Sequence, residues 1–270
     1  MSKIESTLRF HNQATYLEVE LLALQDLSSK FRNRVLQQDL FRIVKELPDF
    51  HLLKFTIEDP ELCAFAVHKA DQNFIYVNTL HPADLQLFSL AHELYHVFHD
   101  EKYIRLSSDI VKRSETTYQD QDISEMRANC YAACLLMPRL YLEDEMLRLG
   151  MQRSAIELID IVRLMDAFAV PYQAMVLRLW ELEILNEAQA RQFLAIPDRD
   201  RQQGVLNLIN QTGYALQWQT VQDEHEYDQL RYLALENYRN QGISRRQVEG
   251  VFSIMNLSVD TFTGNKGREG

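Results

Sequence analysis

Residues 91–99 read Ala-His-Glu-Leu-Tyr-His-Val-Phe-His. His92 and His96 stand four apart, so a helix here puts both imidazoles on one face, a turn apart. Two imidazoles so placed bind one zinc ion side by side, and Glu93 then reaches a water on the ion's open side as general base. The run therefore demands three things of the fold. There must be a helix through it, an apolar back to that helix, and a second element close enough to supply another ligand. Leu87, Phe88, Leu90, Ala91, Leu94 and Val97 supply the back at helical spacing. The plain alternative is a pair of histidines satisfied by ordinary hydrogen bonds.

A catalytic zinc takes three protein ligands and keeps a position for water. Glu125 is the best candidate for the third. It opens a predicted helix over 125–137, with Ser124 as N-cap and Pro138 as stop. Ala128, Ala132 and Ala133 on that helix permit close approach to the histidine helix. Glu115, Asp122 and His99 are rivals, and the helix dipole alone also explains a glutamate in a first turn. Stabilising an oxyanion falls to Tyr131, Tyr118, His81 or His99, among which the sequence makes no choice. The strand ending at Asn78 is a candidate to pair with an extended substrate.

Around this centre the periodicity changes twice. Residues 14–47 read as helix in one or two pieces, with Leu17, Val19, Leu21, Leu22, Leu24 and Leu27 as a possible stripe. Strands follow at 51–57, 63–68 and 74–78, the last two joined by a hairpin turn at 69–73, so a small, mostly antiparallel sheet is expected. Helical spacing returns over 82–98. The segment 101–122 is polar and reads as loop with some helix. Helices are expected again at 140–150, 154–168 and 172–185, then at 188–196, 201–210 and 224–240. The expected class is α+β: a zincin-like metallopeptidase domain over 1–185 with a trailing helix pair, then a mostly helical C-terminal region over 186–270.

Composition narrows the function. The formal net charge is −11, which argues against nucleic acid as the main ligand and against an anionic membrane surface. The longest apolar run, Cys130 to Pro138, is far short of a membrane span. The opening MSKIESTLRFHNQ has no apolar core of signal-peptide length, so a cytoplasmic location is expected. Three cysteines make no disulfide framework, and Cys130 and Cys134 read as small buried side chains.

Two longer blocks carry a resemblance. Phe74-Ile75-Tyr76-Val77-Asn78 followed by Leu87-Phe88-Ser89-Leu90-Ala91-His92-Glu93-Leu94-Tyr95-His96 is one. The other runs from Glu125-Met126-Arg127-Ala128-Asn129 through Tyr131-Ala132-Ala133 to Leu135-Leu136-Met137-Pro138. In order and spacing they resemble the ImmA/IrrE-type metallopeptidases, over about residues 50–185. The resemblance implies His92, His96 and Glu125 as zinc ligands and Glu93 as the base. It also implies a narrow-specificity endopeptidase that cleaves a transcriptional repressor by attack of a zinc-bound water. Tyr95 stands where that family has glycine, His99 falls one residue earlier than its extra histidine, and Arg127 replaces a frequent second glutamate. Within this reading Tyr131, His99 and Asn78 are candidate oxyanion or substrate contacts. The alternatives are a protein-binding regulator with a structural or vestigial metal site and, behind it, a DNA-binding helix-turn-helix at 157–185.

Overall fold

A computed structural model of the chain describes residues 14–32, 34–69, 71–100, 118–219, 228–255 and 257–259. Helix α1 (Ala14–Ser29) and helix α2 (Asp39–Glu46) precede strands β1 (Phe50–Phe55), β2 (Ala64–Lys69) and β3 (Gln72–Asn78). Helices α3 (Ala83–His99) and α4 (Tyr118–Leu136) follow, then α5 (Arg139–Arg148), α6 (Leu158–Phe168) and α7 (Tyr172–Glu181). The remainder is α8 (Glu187–Leu194), α9 (Val205–Thr212), a 3₁₀ turn at Leu216–Gln219, α10 (Asp228–Arg239) and α11 (Arg245–Ile254). The class is α+β, as the sequence implies. Among the described residues no helix is long and apolar enough to cross a membrane.

The expected 14–47 helix is two helices. Arg32 and Gln37 take left-handed backbone, with φ of 58° and 41°, and turn the chain between them. On α1 the buried face is Tyr16, Val19, Ala23 and Leu27, while Leu17 and Leu21 are 62% and 67% exposed. The leucine-rich helix offers more than one apolar stripe. The stripe that wins also carries Asp26, whose carboxylate has partners in the core.

The sheet has the order β1-β3-β2. β2 and β3 form the expected antiparallel hairpin, turning at Asp71 with φ of 57°. β1, however, runs parallel to β3, with Phe50 opposite Asn73 through Phe55 opposite Asn78. The sheet is thus mixed rather than mostly antiparallel. The 56–63 connection makes this possible by carrying the chain from one edge strand to the other. Asn78, fully buried, holds that connection in place. Its amide donates to the carbonyls of Ile57, Asp59 and Leu62, and its Oδ1 accepts from the amides of Ile57 and Leu80.

The sheet and α1 flank the central helix pair. α3 buries Leu87, Leu90, Ala91 and Leu94, and α4 buries Ala128, Tyr131, Ala132, Cys134 and Leu135 between α3 and α1. Each large apolar side chain so buried contributes roughly 1.5–3 kcal/mol. Ala128 and Ala132, both fully buried, add little bulk between the packed helices. Cys130 and Cys134 are buried free thiols with sulfurs 4.0 Å apart.

The main core extends past residue 186, through Ala190, Val205, Ile209 and Ala215. Trp218 donates its indole N–H to the carbonyl of Asp166, and Gln219 donates to the Asp84 carboxylate in the first turn of α3. A second small core, Ala234, Val248, Phe252, Met255 and Val259, joins α10 and α11.

Candidate metal centre

α3 presents His92 and His96 on one face, and α4 brings Glu125 against them. His92 Nε2 lies 3.2 Å from His96 Nε2 and 3.2 Å from Glu125 Oε2, and His96 Nε2 lies 3.8 Å from Glu125 Oε1. All three donors gather within 4.8 Å of one another. With bonds of about 2.0–2.1 Å, a tetrahedral zinc places its ligand atoms about 3.3 Å apart. The three donors therefore fit one zinc, and their chemistry, two imidazole nitrogens and a carboxylate, suits that ion. The side chains of His96, His92 and Glu125 are 1%, 14% and 42% exposed, so access is from the Glu125 side.

Glu93 is buried one residue along, at 7% exposure. Burial pushes its carboxyl above the ordinary glutamate range, opposed by the nearby imidazoles of His92 and His96 and by a hydrogen bond from the Ala66 amide. That amide belongs to β2, the edge strand. Cys63 accepts from the amide of Asn78, which places odd-numbered residues of this strand toward β3 and even-numbered ones toward the outer edge. Burial works to lower His92, but the Glu125 carboxylate, Glu93 and Asn129 outweigh it and hold the imidazole above its ordinary value.

The other candidates lie elsewhere. Tyr131 is fully buried and donates its hydroxyl to Asp26 Oδ2 at 2.7 Å; His99 Nε2 meets the same oxygen at 2.6 Å. Burial favours protonation of Asp26, yet bonds from His99, Lys30 and Tyr131 outweigh it and keep the carboxyl below the usual range. His81 Nε2 is bonded to the carbonyl of Leu62 at 2.9 Å. The Asn78 side chain is committed to the 56–63 connection. β3 is paired on both sides and so has no edge to offer a substrate; the sheet's edges belong to β1 and β2. Glu115 lies outside the described residues, as do the side chains of Tyr118 and Asp122.

α4 also begins earlier than expected, at Tyr118. Ser124 is inside the helix rather than its cap, and its hydroxyl bonds the Asp100 carboxylate at the end of α3. Sequence reasoning missed both Asp100 and Asn129, whose Oδ1 sits 3.0 Å from His92 Nδ1. Asn129 has a signal, its place one turn after Glu125; Asp100 has none, because its role depends on how the helices cross. A separate cleft of ≈ 410 Å³ is lined by residues that include Tyr141, Arg148, Arg163, Phe168 and Tyr214. None of the metal-centre residues line it.

The helix-turn-helix reading depends on Arg178 in α7. That side chain is 1% exposed. It bonds Glu20, Glu181, the Tyr16 hydroxyl and the carbonyl of Met137, so it serves the core and reads no groove.

The gathered residues are two imidazoles and a carboxylate that could hold one metal ion, with a second, buried carboxyl beside them. The family model for the IrrE N-terminal-like domain, of the M78 peptidases, matches residues 45–179, half of the 270-residue chain. The chain belongs to that family. No curated protein matches it. A Mycobacterium tuberculosis transcriptional regulator of solved structure aligns with a TM-score of 0.46 and 16% identity, over 66% of this chain and 51% of that one. The chain thus spans about half the length of that regulator.

Proposed function

We propose that the chain is a zinc-dependent endopeptidase of narrow specificity whose substrate is a repressor-like regulatory protein. The observation that carries this is the convergence of His92, His96 and Glu125 with the buried carboxyl of Glu93 beside them. His92, His96 and Glu125 would hold the ion. When bound, it supplies Lewis acidity toward a peptide carbonyl. Glu93 takes the proton of the attacking water on a carboxylate oxygen and returns it to the leaving amine nitrogen. Its burial supports the role, because a carboxyl kept from water holds a proton more readily than an exposed one.

An extended substrate fits beside the outer edge of β2, where Ala66 already faces Glu93. The slight exposure of both imidazoles favours an extended main chain over a folded surface. For the partner, two things speak. The blocks at 74–96 and 125–138 resemble peptidases that act on repressors, and a net charge of −11 complements the basic surface of a DNA-binding protein.

The test is a comparison of new protein N-termini in cells that express wild type or Glu93→Gln. A wild-type-only cleavage in a DNA-binding regulator is the expected result. Identical N-termini in both would overturn the reading.

A further inference from the structure

His92 has a hydrogen-bond partner beyond the three donors. His92 Nδ1 lies 3.0 Å from Asn129 Oδ1. An amide oxygen only accepts, so Asn129 draws the ring proton to Nδ1 and leaves Nε2, which faces the Glu125 carboxylate at 3.2 Å, as the nitrogen for an ion. Asn129 stands one turn after Glu125, so one face of α4 delivers both the third donor and the group that orients the first. On the second ring, His96 Nδ1 lies 3.8 Å from Asp100 Oδ2, beyond hydrogen-bond reach. The same oxygen accepts the hydroxyl of Ser124, the residue before Glu125. Asp100 is the C-cap of α3, and its own amide bonds the carbonyl of His96.

We infer that Asn129 is a positioning residue that sets the tautomer and ring angle of His92. The inference rests on the metal-centre reading and deepens it. His92 is oriented from outside, by α4, before any ion arrives. Asn129 is exposed, so removing its side chain opens no core cavity. Its loss acts through His92 alone.

Two measurements test this. The first is zinc affinity of the full chain, by competition with a chromogenic chelator, together with the thermal midpoint of the zinc-free protein. Loss of such an outer partner weakens metal binding about 10–100-fold. Asn129→Ala is expected to fall in that range with an unchanged midpoint, and Asn129→Asp, which keeps the acceptor oxygen, to restore binding. The second is ring-nitrogen NMR of His92 in zinc-free Glu125→Ala protein, where that carboxylate no longer competes for the Nε2 proton, at about pH 9, above the ordinary histidine range. With Asn129 in place the Nδ1-protonated form is expected, and with Asn129→Ala added a mixture.

An Asn129→Ala protein that binds zinc within twofold of wild type and keeps the same tautomer overturns the inference. A wild type that binds no zinc overturns the metal-centre reading instead, and the NMR result, which needs no metal, still decides the role of Asn129.

Discussion

Helix α4 ends in one buried charge cluster and starts near another, and the two are balanced in opposite ways. At its C-terminal end Arg178 brings a cation into the core and meets Glu20, Glu181, the Tyr16 hydroxyl and the Met137 carbonyl. Donors and acceptors there match. Toward its N-terminal half, His92, His96, Glu125 and Glu93 bring lone pairs and carboxylates to one point, with imidazole nitrogens 3.2 Å apart. The first cluster contains its own counter-charge; the second is shaped to take one up. A balanced buried cluster is a structural device, whereas a convergence of acceptors is where chemistry is expected.

The largest effect that separates the two is catalytic. Glu93→Gln is expected to lower turnover by about 10²–10⁴, the usual contribution of a positioned base, while zinc stays bound. A substituted protein that still cleaves within a few-fold of wild type would remove Glu93 from the mechanism.

Stability should separate them the other way. Arg178→Ala leaves buried carboxylates without their cation and is expected to cost about 3–5 kcal/mol in denaturant unfolding. Glu125→Ala in zinc-free protein removes a half-exposed carboxylate and should shift stability by no more than about 0.5–1 kcal/mol. Equal losses at the two positions would erase the contrast.

A smaller effect tests how the C-terminal part braces the metal helix. Asp84, bonded by Gln219, is pushed up to about 6 by burial. Its pKa in the unfolded chain is about 3.9. Between these values the folded protein binds more protons, so this group lowers stability as pH rises from about 4 to about 6 and has little further effect above that. Asp84→Asn keeps the hydrogen-bonding shape without the charge. It is expected to raise stability near neutral pH by about 1–2 kcal/mol and to flatten the profile across that window. An unchanged profile would place the proton uptake elsewhere.

The smallest effect concerns Tyr131. Its hydroxyl is committed to Asp26, so Tyr131→Phe should cost about 1 kcal/mol of stability. A loss of turnover as large as that of Glu93→Gln would show instead that the hydroxyl serves the reaction.

The contrast between the clusters also shows what the chain made legible in advance. The histidine helix and the two donors it carries follow from spacing alone, because a period of 3.6 fixes which side chains share a face. The third donor needed the longer blocks around Glu125, since nothing local tells a ligand from a dipole-favoured glutamate. Partners set by tertiary contact were not legible. Asp26 with His99 and Tyr131 spans more than a hundred residues of sequence, and Arg178 with Tyr16 spans 162. The same holds for the direction of β1, decided by the crossing at 56–63 and not by the strand itself. The buried face of α1 was misjudged because leucines lie on more than one side of it. Helix α11 went unread although Ser244 and Gln247 form a capping box visible in the sequence.

We propose that the open cluster holds an ion through His92, His96 and Glu125 while Glu93 serves the chemistry. The most direct measurement is the metal content, by mass spectrometry, of wild type, Glu125→Ala and Glu93→Gln expressed with ample zinc and never chelated. The account predicts about one zinc per chain in wild type and in Glu93→Gln, and loss of the ion in Glu125→Ala. A wild type without metal would contradict it.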